Sequence, residues 1–154
     1  MIIKGIISED FINYKKPCMV IEFPYCNFKC GKALCQNSLL AQLPEFEMDY
    51  SQIVKKYMEN DITQAIVFMG LEPFDSPHDL QLLIEEFRKY TLDDIVIFTG
   101  YYQSEISKSI TYLANNYKNI IIKFGRYISN QTPHYDEILG IKLASDNQYA
   151  VKIS

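Results

Sequence analysis

Short, nearly continuous apolar runs alternate along this chain with stretches whose apolar residues recur every three to four positions. Residues 2–7 are β-branched and apolar and predict an edge strand. Residues 18–23, Cys-Met-Val-Ile-Glu-Phe, predict a buried strand that Pro24 stops. Residues 64–69, 94–98 and 119–124 repeat this pattern, and residues 149–153 predict a last, short strand. Tyr50, Ile53, Val54, Tyr57 and Met58 sit at helical spacing, with Asp49 or Ser51 available as a cap. Ser76-Pro77 opens a second helix, with proline at its first position, Asp79 in its first turn, and Leu80, Leu83, Ile84 and Phe87 as its apolar stripe. Residues 104–116 predict a third helix with Ile106, Ile110 and Leu113 inward.

Strand, loop and helix thus repeat about three times. That order predicts βαβ units and a mainly parallel sheet, an α/β fold. In such sheets ligands bind beyond the carboxyl ends of the strands. Three unusual loops follow strand ends on that one rim: residues 24–35, residues 70–73 and residues 99–101.

Composition narrows the function classes. A chain of 154 residues favours one domain, residues 1–154. The net charge of −4 argues against a broad nucleic-acid-binding face, and the 12 tyrosines are too scattered for a base-stacking platform. No apolar run approaches the ~20 residues of a membrane span, and no secretory signal pattern opens the chain. A cytoplasmic location with no membrane partner is the expectation, and there clustered cysteines serve more often as ligands or redox groups than as disulfides.

Three of the four cysteines, Cys26, Cys30 and Cys35, fall within ten residues. Thiolates are soft ligands, and three on one loop can hold Zn²⁺ or an iron–sulfur cluster. A closed structural site takes four protein ligands, whereas three leave a position open. A zinc site completed by Cys18, His78 or His134, or three unligated thiols, are the competing readings. Cys18 itself reads as a buried strand residue. Gly70-Leu-Glu72-Pro73 places a carboxylate at the rim that can hold an ammonium group, or is a plain strand-to-helix turn. Thr99-Gly100-Tyr101 can contact a ribose or simply turn the chain. No phosphate-binding glycine fingerprint occurs.

Taken together these motifs resemble radical S-adenosylmethionine (SAM) enzymes, most closely the activating proteins of anaerobic ribonucleotide reductase. Cys26 and Cys30 match the first pair of the family's C-x3-C-x2-C motif, and Cys35-Gln-Asn37 is similar to its third cysteine with the trailing asparagine. Gly70-Leu-Glu72-Pro73 resembles Gly-Gly-Glu-Pro, Phe98-Thr-Gly-Tyr101 resembles Tyr-Thr-Gly-Tyr, and Gly125-Arg-Tyr127 stands where the family has Gly-Pro-Phe. Ser145-Asp-Asn147-Gln148 resembles the C-terminal Gly-Ser-x-Asn-Gln.

The resemblance implies an incomplete βα barrel of radical SAM type. It implies a [4Fe–4S] cluster held by Cys26, Cys30 and Cys35, with SAM on the fourth iron. Leu34, Gln36 and Asn37 would lie along the SAM, Gly70 and Glu72 would hold its amino group, and Thr99 would touch its ribose. Reductive cleavage would give a 5′-deoxyadenosyl radical that makes a glycyl radical on the partner reductase, with a flavodoxin- or ferredoxin-type electron donor. The departures are four residues rather than two between Cys30 and Cys35, Leu34 before the third cysteine, Leu71 for the second glycine, and Lys123-Phe124 where an aspartate is common. Two extra residues can bulge out and leave the thiolates together. Two alternatives stand beside this reading: a radical SAM enzyme acting on a small molecule, such as a deazapurine precursor, or on a peptide; and a non-catalytic cluster- or zinc-binding module.

Overall fold

The computed structural model describes residues 1–154. Its order is β1 (Ile2–Ile3), β2 (Gly5–Asp10), β3 (Cys18–Phe23), β4 (Phe46–Glu47), α1 (Tyr50–Met58), β5 (Ala65–Gly70), α2 (Pro77–Arg88), β6 (Asp94–Phe98), α3 (Ser107–Asn116), β7 (Ile120–Phe124), β8 (His134–Asp136), β9 (Ile141–Leu143) and β10 (Tyr149–Lys152). Six strands form the central sheet in the order β10-β7-β6-β5-β3-β2. The inner four are parallel, and β2 and β10 flank them antiparallel. The sheet is open, with no ladder joining β2 to β10.

The inner strands read as continuous apolar runs because both of their faces are covered. On one face Met19, Ile21, Phe23, Ile66, Phe68, Ile95, Ile97, Ile120 and Ile122 pack against the helices: Ile53, Val54 and Tyr57 of α1, Leu80, Leu83, Ile84 and Phe87 of α2, and Leu113 of α3. On the other face Cys18, Val20, Ala65, Val67, Val96 and Ile121 meet no helix. Tyr14, Leu139 and Leu143 cover them instead. Register pairs Phe23 with Gly70, Phe68 with Ile97 and Phe98 with Lys123, so the carboxyl ends of the parallel strands share one rim.

The run at residues 2–7 serves two sheets. It is split at Lys4: Ile2–Ile3 pairs with β4, and Gly5 onward forms the edge strand β2. Lys4 is buried, and its ammonium donates to Ala41 O at 3.3 Å and Leu43 O at 2.7 Å and pairs with Glu45 at 3.1 Å, tying down the segment after the cysteine loop. Asp49 is the residue that caps α1, its N–H donating to Gln52 Oε1 at 3.2 Å. The third helix starts later than its periodicity predicts. A 3₁₀ turn at Gln103–Glu105 precedes it, held by the Glu105 side chain accepting from Tyr102 N at 2.8 Å, and α3 begins at Ser107. The β8–β9 hairpin has no periodic signature, because each strand is only three residues long. Asp136 fastens it to the sheet by accepting from Leu139 N and Ala150 N, both at 2.9 Å. No helix is long and apolar enough to cross a membrane.

Candidate cluster-binding site

A cavity of about 290 Å³ opens at the carboxyl rim of the parallel strands. That is the lower end of the range for small-molecule clefts. Met69, Phe98 and Lys123 from the strand ends, the cysteine loop, residues 70–72 and residues 99–100 line it. Ile141 and Leu143 of β9, with Ile12 and Asn13, complete the lining.

The cysteine loop is held at both ends. After Pro24, Glu72 N donates to Tyr25 O at 2.8 Å, which joins the loop to the strand beside it. Asp75 accepts from Asn27 N at 2.7 Å, from Asn27 Nδ2 at 3.2 Å and from Tyr101 Oη at 2.6 Å. Consecutive turns, Gly31 N to Phe28 O at 2.8 Å and Leu34 N to Gly31 O at 3.0 Å, coil the chain between Cys30 and Cys35. The extra residues bulge outward: residues 31–34 are all exposed. Cys26, Cys30 and Cys35 all line the cavity. Phe28 N donates to Cys26 Sγ at 3.2 Å, the type of contact that stabilises a thiolate and tunes a cluster.

Burial pushes the Cys26 thiol up to about 11, and burial together with Cys35 raises Cys30 as well. These thiols are protonated at neutral pH until a cation binds, so binding releases protons. No three Cys, His, Asp or Glu side chains converge tightly enough to share a single ion. Cys18, His78 and His134 lie outside the cavity wall, so none of them supplies a fourth zinc ligand there. Three thiols spread along one wall suit a cluster, whose irons each take one thiolate, better than the closed shell of a structural zinc.

Of the other residues singled out in the sequence, Gln36, Asn37, Gly70, Glu72 and Thr99 line the cavity. Leu34 does not; it is 59% exposed on the outward bulge. Gly70 has φ +98°, and its carbonyl accepts from Asn37 Nδ2 at 2.6 Å, which couples the two loops. Glu72 is 4% exposed. Its Oε1 accepts from Thr99 Oγ1 at 2.8 Å and Phe74 N at 3.1 Å, and its Oε2 from Gly100 N at 2.8 Å. A carboxylate has about four acceptor sites. Three are filled from within the protein, and Oε2 keeps one for a ligand. Thr99 is likewise engaged, donating to Glu72 and accepting from Tyr101 N at 3.0 Å.

Burial raises the Glu72 carboxyl from 4.5 to about 7, against the lowering effect of these three hydrogen bonds. The fold therefore favours the protonated form. The stabilisation from that proton is complete below about pH 4.5 and is lost as pH rises through 7, a change of roughly 3 kcal/mol. Lys123, lowered to about 8 by burial, is charged in both states up to about pH 7 and adds an opposing slope only as pH nears 8, one common to the wild type and Glu72→Gln. Denaturant unfolding of the metal-free protein at pH 4.5 and pH 8 should show this loss, and Glu72→Gln should flatten it. Equal pH slopes for the two proteins would refute the assignment.

Sequence reasoning gave no site role to Lys123 or Arg126 and did not find the hairpin wall. Lys123 carried a signal, a lone charge in the otherwise apolar strand Ile-Ile-Ile-Lys-Phe. Lys123 is 7% exposed and lines the cavity, and its ammonium donates to Gly125 O at 3.0 Å. Gln148 closes the far end, donating from Nε2 to Gly125 O at 3.2 Å. An open parallel α/β sheet with three thiols and a buried carboxylate around one rim cavity defines a class of cluster-binding proteins. Within that class the chain belongs to the family described as the 4Fe-4S single cluster domain, whose family model matches residues 18–148, from the first residue of β3 to the glutamine at the cavity's end. It is an iron–sulfur protein of a family associated with radical SAM proteins. Comparison with curated proteins and with solved structures gave no match.

Proposed function

We propose that this protein is a radical SAM enzyme that generates a glycyl radical on a partner, the anaerobic ribonucleotide reductase, in the cytoplasm, from an incomplete βα barrel spanning residues 1–154. The observation that carries the reading is convergence: the three thiols, the Gly70–Glu72 loop and the Thr99–Gly100 turn all face one cavity at the sheet rim. Cys26, Cys30 and Cys35 would ligate three irons of a [4Fe–4S] cluster and leave the fourth for SAM. Such a cofactor pair would supply hydrogen-atom abstraction: given one electron from a flavodoxin- or ferredoxin-type donor, SAM would yield methionine and, after taking one hydrogen atom from the partner's glycine, 5′-deoxyadenosine.

The chain's own residues bind and orient. In its ionised form, which a bound ammonium favours, Glu72 offers the free acceptor site on Oε2 to the ligand, and Thr99 and Gly100 hold that carboxylate in place. Asn37 fixes the Gly70 carbonyl, and Gln36 and Asn37 flank Cys35 along the ligand's path. Thr99 keeps one lone pair for a ribose hydroxyl. Lys123 holds a positive charge in the cavity lining with two protons free of protein acceptors.

One observation favours a second reading, a small-molecule substrate. Ile141 and Leu143 of β9, with Ile12 and Asn13, add an apolar lining to the cavity of the kind that helps seal a small substrate from water. The test is anaerobic reconstitution with iron and sulfide, reduction, and EPR with and without SAM, with 5′-deoxyadenosine assayed alongside. A [4Fe–4S]⁺ signal that changes with SAM, deoxyadenosine formation and a glycyl-radical signal on the added reductase are the expected results. Deoxyadenosine without that radical would transfer the assignment to the small-molecule reading. Zinc, or a cluster indifferent to SAM, would overturn both.

A further inference from the structure

Beside the cysteine loop lies a charge cluster that the proposed function does not use. Arg126 leaves the chain just after β7, and its guanidinium donates from Nη2 to both oxygens of Glu105, at 2.6 and 2.7 Å. It also stacks over the Tyr102 ring, 4.8 Å from the centroid. Lys29, the residue before Cys30, reaches the same Glu105 at 3.3 Å and lies over the Tyr101 ring at 4.5 Å. Glu105 is held in turn by Tyr102 N at 2.8 Å. Arg126 shares with Cys26 and Cys30 the walls of both the main cavity and a smaller one of about 30 Å³ behind it. Its side chain is 16% exposed, so solvent screens its charge poorly.

The arrangement is asymmetric. Two cations meet one carboxylate, so this cluster carries a net positive charge, while the Glu72 and Asp75 carboxylates lie nearer Cys26. Arg126 holds the Glu105 carboxyl down to about 2, so that carboxylate stays charged. Stacking and the two-oxygen clamp fix the guanidinium in place, a geometry suited to acting on a neighbour at constant distance.

We propose that Arg126, clamped by Glu105 and stacked on Tyr102, is a positioning residue that holds a fixed positive charge against the cysteine loop and thereby sets the reduction potential of the cluster bound there. The inference rests on the cluster assignment above. Cluster potentials follow local net charge, hydrogen bonds to sulfur and solvent exposure, and here the protein controls the first. A nearby cation favours the reduced, more negative cluster.

The test is an EPR-monitored redox titration of the reconstituted protein. Arg126→Gln should lower the midpoint potential by about a tenfold change in the reduction equilibrium, ~59 mV for one electron. Glu105→Gln should raise it by a similar amount, and Arg126→Lys should stay near the wild type because it keeps the charge. A merely structural role would move both glutamine variants in the same direction and leave Arg126→Lys as impaired as Arg126→Gln. That outcome, or unchanged potentials with an intact cluster, overturns this inference alone. A wild-type protein that assembles no cluster overturns both it and the reading on which it rests.

Discussion

Cys30→Ser will leave the protein unable to hold an intact cluster, with iron and sulfide after anaerobic reconstitution falling by at least about tenfold. Loss of even an outer hydrogen-bond partner costs a metal site 10–100-fold, and a lost ligand costs more. No spare thiol can take its place. Cys18 sits at the opposite end of β3, five residue steps or about 17 Å of strand from the start of the loop. It is fully buried, its thiol donating toward Asp10 O at 3.6 Å, and burial with the Asp10 charge pushes it up to about 12. Cys18→Ser should therefore leave iron and sulfide content unchanged. Normal cluster content in Cys30→Ser, or its loss in Cys18→Ser, would show that the ligand set has been misassigned.

The second large effect belongs to Gly70. A Cβ there would lie 2.9 Å from Glu22 Cα and 2.9 Å from Phe23 N, both backbone atoms of the neighbouring strand. The residue is also in the left-handed region, which costs an L-residue about 1–2 kcal/mol even in open space. Gly70→Ala should therefore destabilise the fold by more than about 3 kcal/mol in denaturant unfolding, near the upper end for single substitutions. Gly100→Ala is the control. Its Cβ would meet only the Glu72 carboxylate at 3.6 Å and the Arg126 stem at 3.7 Å, ordinary contacts, and the loss should stay within about 1 kcal/mol. Similar losses in the two variants would mean that β5 can move away from β3 at Gly70.

Much of the frame was legible because burial on two faces leaves a coarse mark. β3, β5, β6 and β7 fall within about a residue of the apolar runs that predict them, since both sheet faces are covered and charged residues enter these strands only at or next to their ends, as Glu22, Asp94 and Lys123. Pro77 and the stripe of α2 were equally plain. The site was legible where chemistry forces rare residues together, as at Cys26, Cys30 and Cys35, or where the backbone needs glycine, as at Gly70. It was not legible where a residue's role comes from tertiary approach. Arg126 and Glu105 are 21 positions apart and meet only because β7 and the turn before α3 end on one rim. The hairpin around Asp136 is too short for periodicity to register, and nothing in the sequence shows that it will face the cavity. Leu34, placed along the ligand by its neighbour Cys35, turns outward because the longer loop has to bulge.

The clasp of the C-terminal segment on Gly125 bears on how the protein must be made. Gly125 has φ +97°, and a Cβ there would lie 2.8 Å from Asn147 O, so the segment can seat closely enough for Asn147 Nδ2 to reach Arg126 O at 2.8 Å. The cavity wall is therefore incomplete until residues 141–148 have been synthesised. The three cysteines emerge about 110 residues earlier, which at ribosomal speed is roughly 6–20 s. Throughout that interval the pocket around the thiols lacks the part of its lining that residues 141–144 and 148 supply. The complete site is consequently among the last features of this chain that synthesis makes available.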